Sequence, residues 1–346
     1  MPMTIKDIAQ RSGYAVGTVS RVLNGHPDVS DAARERILAV VAETGFRPND
    51  TARHLKQRGS REVAIIVKGA GNLLFARILE EAQRLLKADH RPAAVYYLDE
   101  NDDEVEQALR VCRELKPLGF LFLGGNRDNF KRSFEHVTLP SVLVTTRADT
   151  LGFPNLSSVS TDDVEGASQA VGCLLDAGHR QVGIIGGESC VAAPVMGCNT
   201  SQLRLMGCQQ ACTQRGVPFD PQRQSAIARY SMEGGYEATV TLLEQFPGLT
   251  AIFAMSDVMA IGAIRALHDQ GIRVPQDVSV VGYDGIEQAG YCVPRLATVC
   301  QNWEQLARRG VEILLNQAEG GCAVHEIVPF YLSMGESVGR KEENSH

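Results

Sequence analysis

The sequence has no long apolar run. No stretch of its 346 residues approaches the ~18 uncharged apolar residues of a membrane span. The opening MPMTIKDIAQRSG holds no apolar segment fit for an export signal, so the sequence predicts a cytoplasmic protein with no membrane partner. It also lacks the loops that nucleotide enzymes and serine hydrolases need: there is no GxxxxGK[ST], no GxGxxG after a strand-like run and no GxSxG. Histidines at 26, 54, 90, 136, 179, 268, 325 and 346 form no metal-spaced cluster. The nine cysteines are odd in number and irregularly spaced, which reads as reduced thiols buried in a core, Cys208 and Cys212 among them. No cofactor and no catalytic residue is expected. Positive charge is scarce overall, at a formal net −7.

What is present is unevenly distributed. Residues 1–60 carry nine Lys and Arg against six Asp and Glu, a net +3, which leaves −10 on the remainder. A small basic head on an acidic body suits a protein that docks phosphates at one end. Hydrophobic residues at 44% and charged residues at 22% are values of an ordinary globular protein, and the length suggests two or three units.

The head reads as three helices. Thr4 with Asp7 resembles a capping box and starts the first, which ends near Gly13. The second runs over about Val16–Leu23 and stops at Asn24-Gly25. Ser30 is placed to N-cap the third, which continues to Gly45 with Ala33, Ile37, Val40 and Val41 on one face. Two short helices with a glycine-containing turn and a third as support form a helix-turn-helix layout. The run Thr4-Ile5-Lys6-Asp7-Ile8-Ala9, then Gly13, Thr18-Val19-Ser20-Arg21-Val22-Leu23-Asn24-Gly25, Val29-Ser30 and Gly45-Phe46-Arg47-Pro48-Asn49 resembles the N-terminus of the lactose-repressor/galactose-repressor (LacI/GalR) family of bacterial transcription regulators. On that resemblance the second helix enters the major groove. Arg21 can fork to guanine O6 and N7, for about 1–3 kcal/mol of discrimination. Val16 offers methyls to thymine, and Gly17 has no side chain to read with. Thr18, Ser20 and Asn24 suit phosphates. One departure is Tyr14-Ala15, where the family has Val-Ser: Ala15 cannot cap the second helix, a loss of roughly 0.5–2 kcal/mol.

Residues 49–60, NDTARHLKQRGS, form a short basic linker. The resemblance implies a hinge helix that folds on operator DNA, with Ala52 and Arg53 at the duplex and Leu55 wedged into the minor groove. A linker whose leucine packs on the core is the alternative.

From residue 61 onward, strand-like and helical runs alternate: Val63–Val67, Phe75–Leu86, Ala94–Tyr97, Val105–Leu115, Phe120–Leu123 and Val142–Val144. Then come Val182–Ile185, Leu203–Cys212, Ile252–Ala254, Val258–Leu267 and Val278–Val281. The pattern predicts an α/β fold with parallel sheets, divided by its length into two lobes with a ligand cleft at the strands' carboxyl ends. The resemblance extends here through Val159–Ala167, Ala177–Gly183, Arg204–Gly207, Ser256–Ala263 and Val274–Asp284. It implies a core similar to periplasmic sugar-binding proteins, with an effector pocket on Leu74, Phe75, Asp162, Thr200, Arg204, Tyr230, Ser256 and Asp284. Two departures are Asn72-Leu73-Leu74-Phe75, where the family often has Asn-Pro-Phe-Phe, and Gly335-Glu336-Ser337, without the family's arginine.

The domains expected are therefore a helix-turn-helix at 1–48, a hinge at 49–60 and an effector-binding and dimerisation core at 61–346. The function expected is that of a regulator, a repressor by resemblance. It binds a palindromic operator as a homodimer and is switched by a small molecule, a sugar or sugar derivative. The same regulator under a phosphoprotein partner, or a sugar-binding module without DNA activity, are the alternatives. The last would leave residues 1–60 unexplained.

Overall fold

The computed structural model describes residues 5–23, 29–44, 61–69, 71–186 and 199–341. They divide into two compact units, 1–60 and 61–346. In the first, α1 (Ile5–Ser12), α2 (Val16–Leu23) and α3 (Asp31–Thr44) lie close to where the sequence predicts them. Ile8, Ala9, Val19, Val22, Ile37 and Val40 come together as the core, because apolar residues three or four apart fall on one helical face. α1 ends where Gly13, at φ +78°, donates its N–H to the Ala9 carbonyl at 3.0 Å. Only glycine adopts that left-handed turn without a Cβ penalty. Thr4, the expected cap of α1, lies outside the described residues.

Ala15 serves α2 through its backbone alone: its carbonyl accepts from Thr18 and Val19 at 2.9 and 3.1 Å. A serine there adds an acceptor for the unpaired first-turn N–H groups. Ala15→Ser is expected to stabilise the head by about 0.5–2 kcal/mol. Calorimetric melting of the intact protein checks this, and an unchanged melt would mean that the start of α2 needs no cap.

Among the described residues the second unit contains twelve strands. These are β1 (Val63–Lys68), β2 (Ala93–Leu98), β3 (Gly119–Leu123), β4 (Ser141–Val144), β5 (Leu156–Thr161), β6 (Val182–Gly186), β7 (Ser225–Ile227), β8 (Ala251–Ala254), β9 (Ser279–Asp284), β10 (Ala297–Gln301), β11 (His325–Val328) and β12 (Phe330–Ser333). They form two six-stranded sheets, in the orders β11-β5-β4-β3-β1-β2 and β12-β10-β9-β8-β6-β7. All neighbours are parallel except β12 against β10. The chain passes between lobes three times: after β5, after β10, and between β11 and β12. After the second passage the helix Trp303–Ala318 packs on the first sheet and on the helix Leu73–Ala88.

β5 escaped the sequence reading because Leu-Ser-Ser-Val-Ser-Thr looks like a loop, yet all six residues are buried. Two of its serine hydroxyls are partnered sideways. Ser157 Oγ accepts from Val324 N at 3.0 Å, and Ser158 Oγ accepts from Ala148 N at 3.1 Å and pairs with His325 Nδ1 at 2.9 Å. The helices Asp163–Asp176, Met232–Gln245 and Trp303–Ala318 and the strands β7, β10, β11 and β12 were likewise not read from periodicity. The glycine of Arg204–Gly207 has a packing role: a Cβ on Gly207 would stand 2.1 Å from the Val164 carbonyl, so its absence lets two helices touch. Cys208 and Cys212 are buried beside it. Among the described residues no three His, Cys, Asp or Glu converge on a metal position, and no helix is long and apolar enough to cross a membrane.

Candidate functional site

A cleft of about 640 Å³ opens between the lobes at the carboxyl ends of the strands. Lys68 and Gly69 after β1, Gly124 after β3, Thr145 after β4, Asp284 of β9 and Gln301 of β10 all reach it. That is the place parallel α/β sheets reserve for ligands, since strand ends and helix starts leave polar groups there.

Its floor is built on Arg204, in the helix Thr200–Gln214, which is only 4% exposed. Nε donates to Asp163 Oδ1 at 2.8 Å, and Nη1 donates to the Met255 carbonyl and lies 3.9 Å from Asp284 Oδ1. The guanidinium carbon sits 3.6 Å from the centroid of the Tyr283 ring. Burial works against the arginine's charge, yet Asp163, Tyr283 and Asp284 around it raise its pKa above the ordinary value. Asp284 occupies a backbone conformation rare for any residue but glycine, φ +121°. Its Oδ1 accepts from Gln301 Nε2 at 2.8 Å, and Asn72 hydrogen-bonds it from the other lobe. The Oε1 of Gln301 accepts from Thr161 Oγ1 at 2.9 Å, so the two crossing strands are tied to each other beneath the cleft.

Three buried carboxylates lie in this floor: Asp163 and Asp284 face the guanidinium, and Asp257 interacts with Asp284. Burial pushes Asp163 up, against the pull of Arg204. Asp257 is pushed well up by burial and by Asp284, although Thr298 Oγ1 and Ile286 N donate to it at 2.5 and 2.8 Å. Asp284 is pushed up to about 6 by burial, with Arg204 and Gln301 opposing.

The sign of the pH dependence follows. Between the ordinary carboxyl value of 3.8 and the folded value of about 6, the native state holds more protons than the unfolded chain, so Asp284 makes stability fall as pH rises through that window. Acids paired with arginines nearer the surface, such as the exposed Asp176 and the half-buried Glu326, are lowered and act in the opposite direction, their contribution being lost as pH falls. Asp284→Asn is expected to flatten the decline between about pH 4 and 6. Urea unfolding across that range measures it; the same slope in the variant would show that Asp284 does not carry the proton.

Of the residues the resemblance assigned to a pocket, Leu74, Phe75, Thr200, Arg204, Tyr230 and Asp284 line the cleft. Asp162 and Ser256 do not. Both stand at a strand end, but the side chain turns back as a helix cap: Asp162 Oδ1 accepts from Glu165 N at 3.1 Å, and Ser256 Oγ accepts from Met259 N at 3.4 Å. The carboxylate that reaches Arg204 comes one residue later, from Asp163. Asn72, Asn126, Glu100, Ser201, Arg229 and Gln301 also line the cleft and were missed. Asn72 and Asn126 were findable, as each caps a helix with its Oδ1, at 2.9 and 3.0 Å from Leu74 N and Asp128 N. Gln301 carries no local signal, because only the passage of the chain between lobes places it there. At the rim Arg229 of one lobe bridges Asp99, at 2.7 Å, and Glu100 of the other.

In the head, α2 turns Val19 and Val22 inward and leaves Val16, Gly17 and Arg21 exposed, with Thr18 half-buried. A valine 42% exposed at the start of a helix, beside an arginine one turn on, is a face with no partner among the described residues of its unit. The side chain of Ser20 lies outside the described residues, as do Asn24, Ala52, Arg53 and Leu55.

A helix-turn-helix unit joined to a two-lobed α/β core with a polar cleft defines a ligand-responsive DNA-binding regulator. The comparisons with known proteins agree. Residues 4–49 match the family described as bacterial regulatory proteins, lacI family, and residues 171–338 match the periplasmic binding protein-like domain. The HTH-type transcriptional regulator MalR of Clostridium butyricum is 33% identical over 322 residues, 91% of this chain and 92% of its own length. The structure of the transcriptional regulator CelR–cellobiose complex superposes with a TM-score of 0.70 at 28% identity, covering 97% of this chain and 99% of that one. The lac repressor dimer bound to operator and the anti-inducer ONPF shares the fold, with a TM-score of 0.73 at 23% identity over 98% of this chain and 100% of that one. The chain belongs to the LacI family of transcription regulators and is not an enzyme.

Proposed function

We propose that this protein is a cytoplasmic repressor that binds a palindromic operator as a homodimer and is switched by a sugar or sugar derivative in the interlobe cleft. Residues 1–48 read DNA, 49–60 act as the hinge, and 61–346 bind effector and dimerise. The observation that carries the reading is the pairing of two features in one chain: an exposed Val16–Gly17–Arg21 face on the second helix of a helix-turn-helix, and a cleft built on Arg204 and Asp284. Thr18, Ser20 and Asn24 hold phosphates, and Ala52, Arg53 and Leu55 engage the minor groove. Leu74, Phe75, Thr200, Arg204, Tyr230 and Asp284 contact the effector, with Asn72 and Gln301 added to them.

The CelR–cellobiose complex supports a sugar ligand, and the operator-bound lac repressor dimer supports twofold docking on DNA. Exposed Tyr97 at 62%, Tyr291 at 81% and Val293 at 90% supply apolar surface for a second copy. An effector acts only through its different affinity for two arrangements of the lobes. Selection from a random duplex library by the intact protein, with and without sugars, tests the reading. Enrichment of one palindrome is expected. No preference over random sequence at moderate salt would overturn it, and an operator that no sugar affects would point to a protein partner instead.

A further inference from the structure

The charges in the cleft restrict what it can hold. Its lining contains three cations, Lys68, Arg204 and Arg229, and each is already matched. Lys68 Nζ meets Glu104 Oε2 at 2.5 Å and donates to the Asp102 carbonyl at 2.6 Å. Arg204 is held by Asp163 with Asp284 beside it, and Arg229 by Asp99 and Glu100. The acids are in excess. Glu233 and Glu237 line the cleft, and among the described residues neither has an ion-pair partner.

Helix N-termini pull the other way, since they favour anions by about 0.3–1 kcal/mol each. Four of them meet the cleft at Asn72, Asn126, Asn199 and Ser231, and each is capped by its own side chain. Three are also matched by acids: Asp128 and Glu233 sit in the first turns of their own helices, and Asn72 bonds Asp284. Among the described residues no unmatched cation or open helix start is left for a phosphate or carboxylate. The remaining lining is of a kind that exchanges hydrogen bonds with hydroxyls, Asn101, Thr145, Thr146, Thr200 and Ser201, together with the rings of Phe75 and Tyr230.

The cleft is also longer than one ring. Glu233, Glu237 and Thr241 line it at successive turns of one helix face. At 1.5 Å per residue they span about 12 Å.

We infer that the effector is a hydroxyl-rich ligand of more than one sugar ring that carries no negative charge, and that phosphorylated sugars and sugar acids are excluded. This rests on the sugar-cleft reading above and adds the ligand's charge and size. A neutral oligosaccharide and an amino-sugar oligosaccharide share that chemistry, and the test separates them. The intact protein is titrated by calorimetry and thermal shift with four matched sets: neutral mono-, di- and trisaccharides of common hexoses, their amino-sugar counterparts, their 6-phosphates and their uronic acids. Binding is expected among the neutral or amino sets at two or more rings, with the phosphate or acid counterpart of each hit weaker by about tenfold or more. Glu233→Gln with Glu237→Gln should weaken an amino-sugar hit several-fold more than a neutral one, which identifies the source. A sugar phosphate or acid that binds as tightly as its neutral parent overturns the inference, as do hits confined to monosaccharides. Silence across all four sets, with palindrome binding intact, overturns the sugar-cleft reading itself.

Discussion

Arg204→Ala is expected to destabilise the core by about 3–5 kcal/mol, the range for breaking a buried ion pair by removing one partner. The truncation leaves Asp163 and Asp284 without their cation, and both are buried. It also removes the donor to the Met255 carbonyl and the guanidinium stacked on Tyr283. The two carboxylates then meet the loss by holding their protons to higher pH. Charge, and not volume, should dominate the loss. Arg204→Met alone is therefore expected to cost nearly as much as Arg204→Ala. Arg204→Met combined with Asp163→Asn and Asp284→Asn should recover most of it, as neutral replacement of a whole buried ion network commonly does. Urea unfolding of the four proteins decides the matter. Equal instability of the triple variant and Arg204→Ala would assign the loss to packing. Sugar binding should vanish in all variants, the recovered one included, because the floor of the cleft is gone.

The second large effect is on DNA. Arg21→Ala is expected to flatten preference at one base pair in each half-site, at a cost of about 1–3 kcal/mol per half-site. The alternative role for an exposed arginine is a phosphate contact, and the two roles leave different signatures. Loss of a phosphate contact weakens binding to every sequence alike and lowers the salt slope by about one. Loss of a guanine contact relaxes one position and leaves affinity for random duplex nearly unchanged. Binding to a single-substitution panel of the selected palindrome, at two salt concentrations, separates them. Preserved preference at every position would remove Arg21 from base reading. Val16 and Gly17 beside it offer little to hydrogen-bond, so Arg21 is expected to carry most of the base reading proposed for the exposed face.

The head was legible almost to the residue, and the reason is local. Its helices are short, their caps and stops are adjacent in sequence, and Ile8, Val19, Val22 and Ile37 recur at helical spacing. The core was legible where strands are apolar, as over residues 63–67 and 120–123. It was illegible at β5, where Ser157 and Ser158 are satisfied by Val324, Ala148 and His325, the first and last more than 160 residues away in the chain. Asp162 and Ser256 show the same limit at the cleft. Their positions at strand ends match a pocket, but which way such a side chain turns depends on whether the next helix needs an acceptor for its first N–H groups.

From its letters alone, then, the chain determined its two units, the face of α2 that is left exposed, and the alternation that builds two largely parallel sheets. These follow from neighbours within a few residues of one another. Only the tertiary structure decided the chemistry of the cleft. It turned Arg204 from a free cation into one already balanced by Asp163 and Asp284, brought Gln301 beneath them, and set Arg229 against Asp99 and Glu100. Charge balance in a buried site depends on groups that the fold brings together from distant parts of the sequence, and no local pattern encodes it.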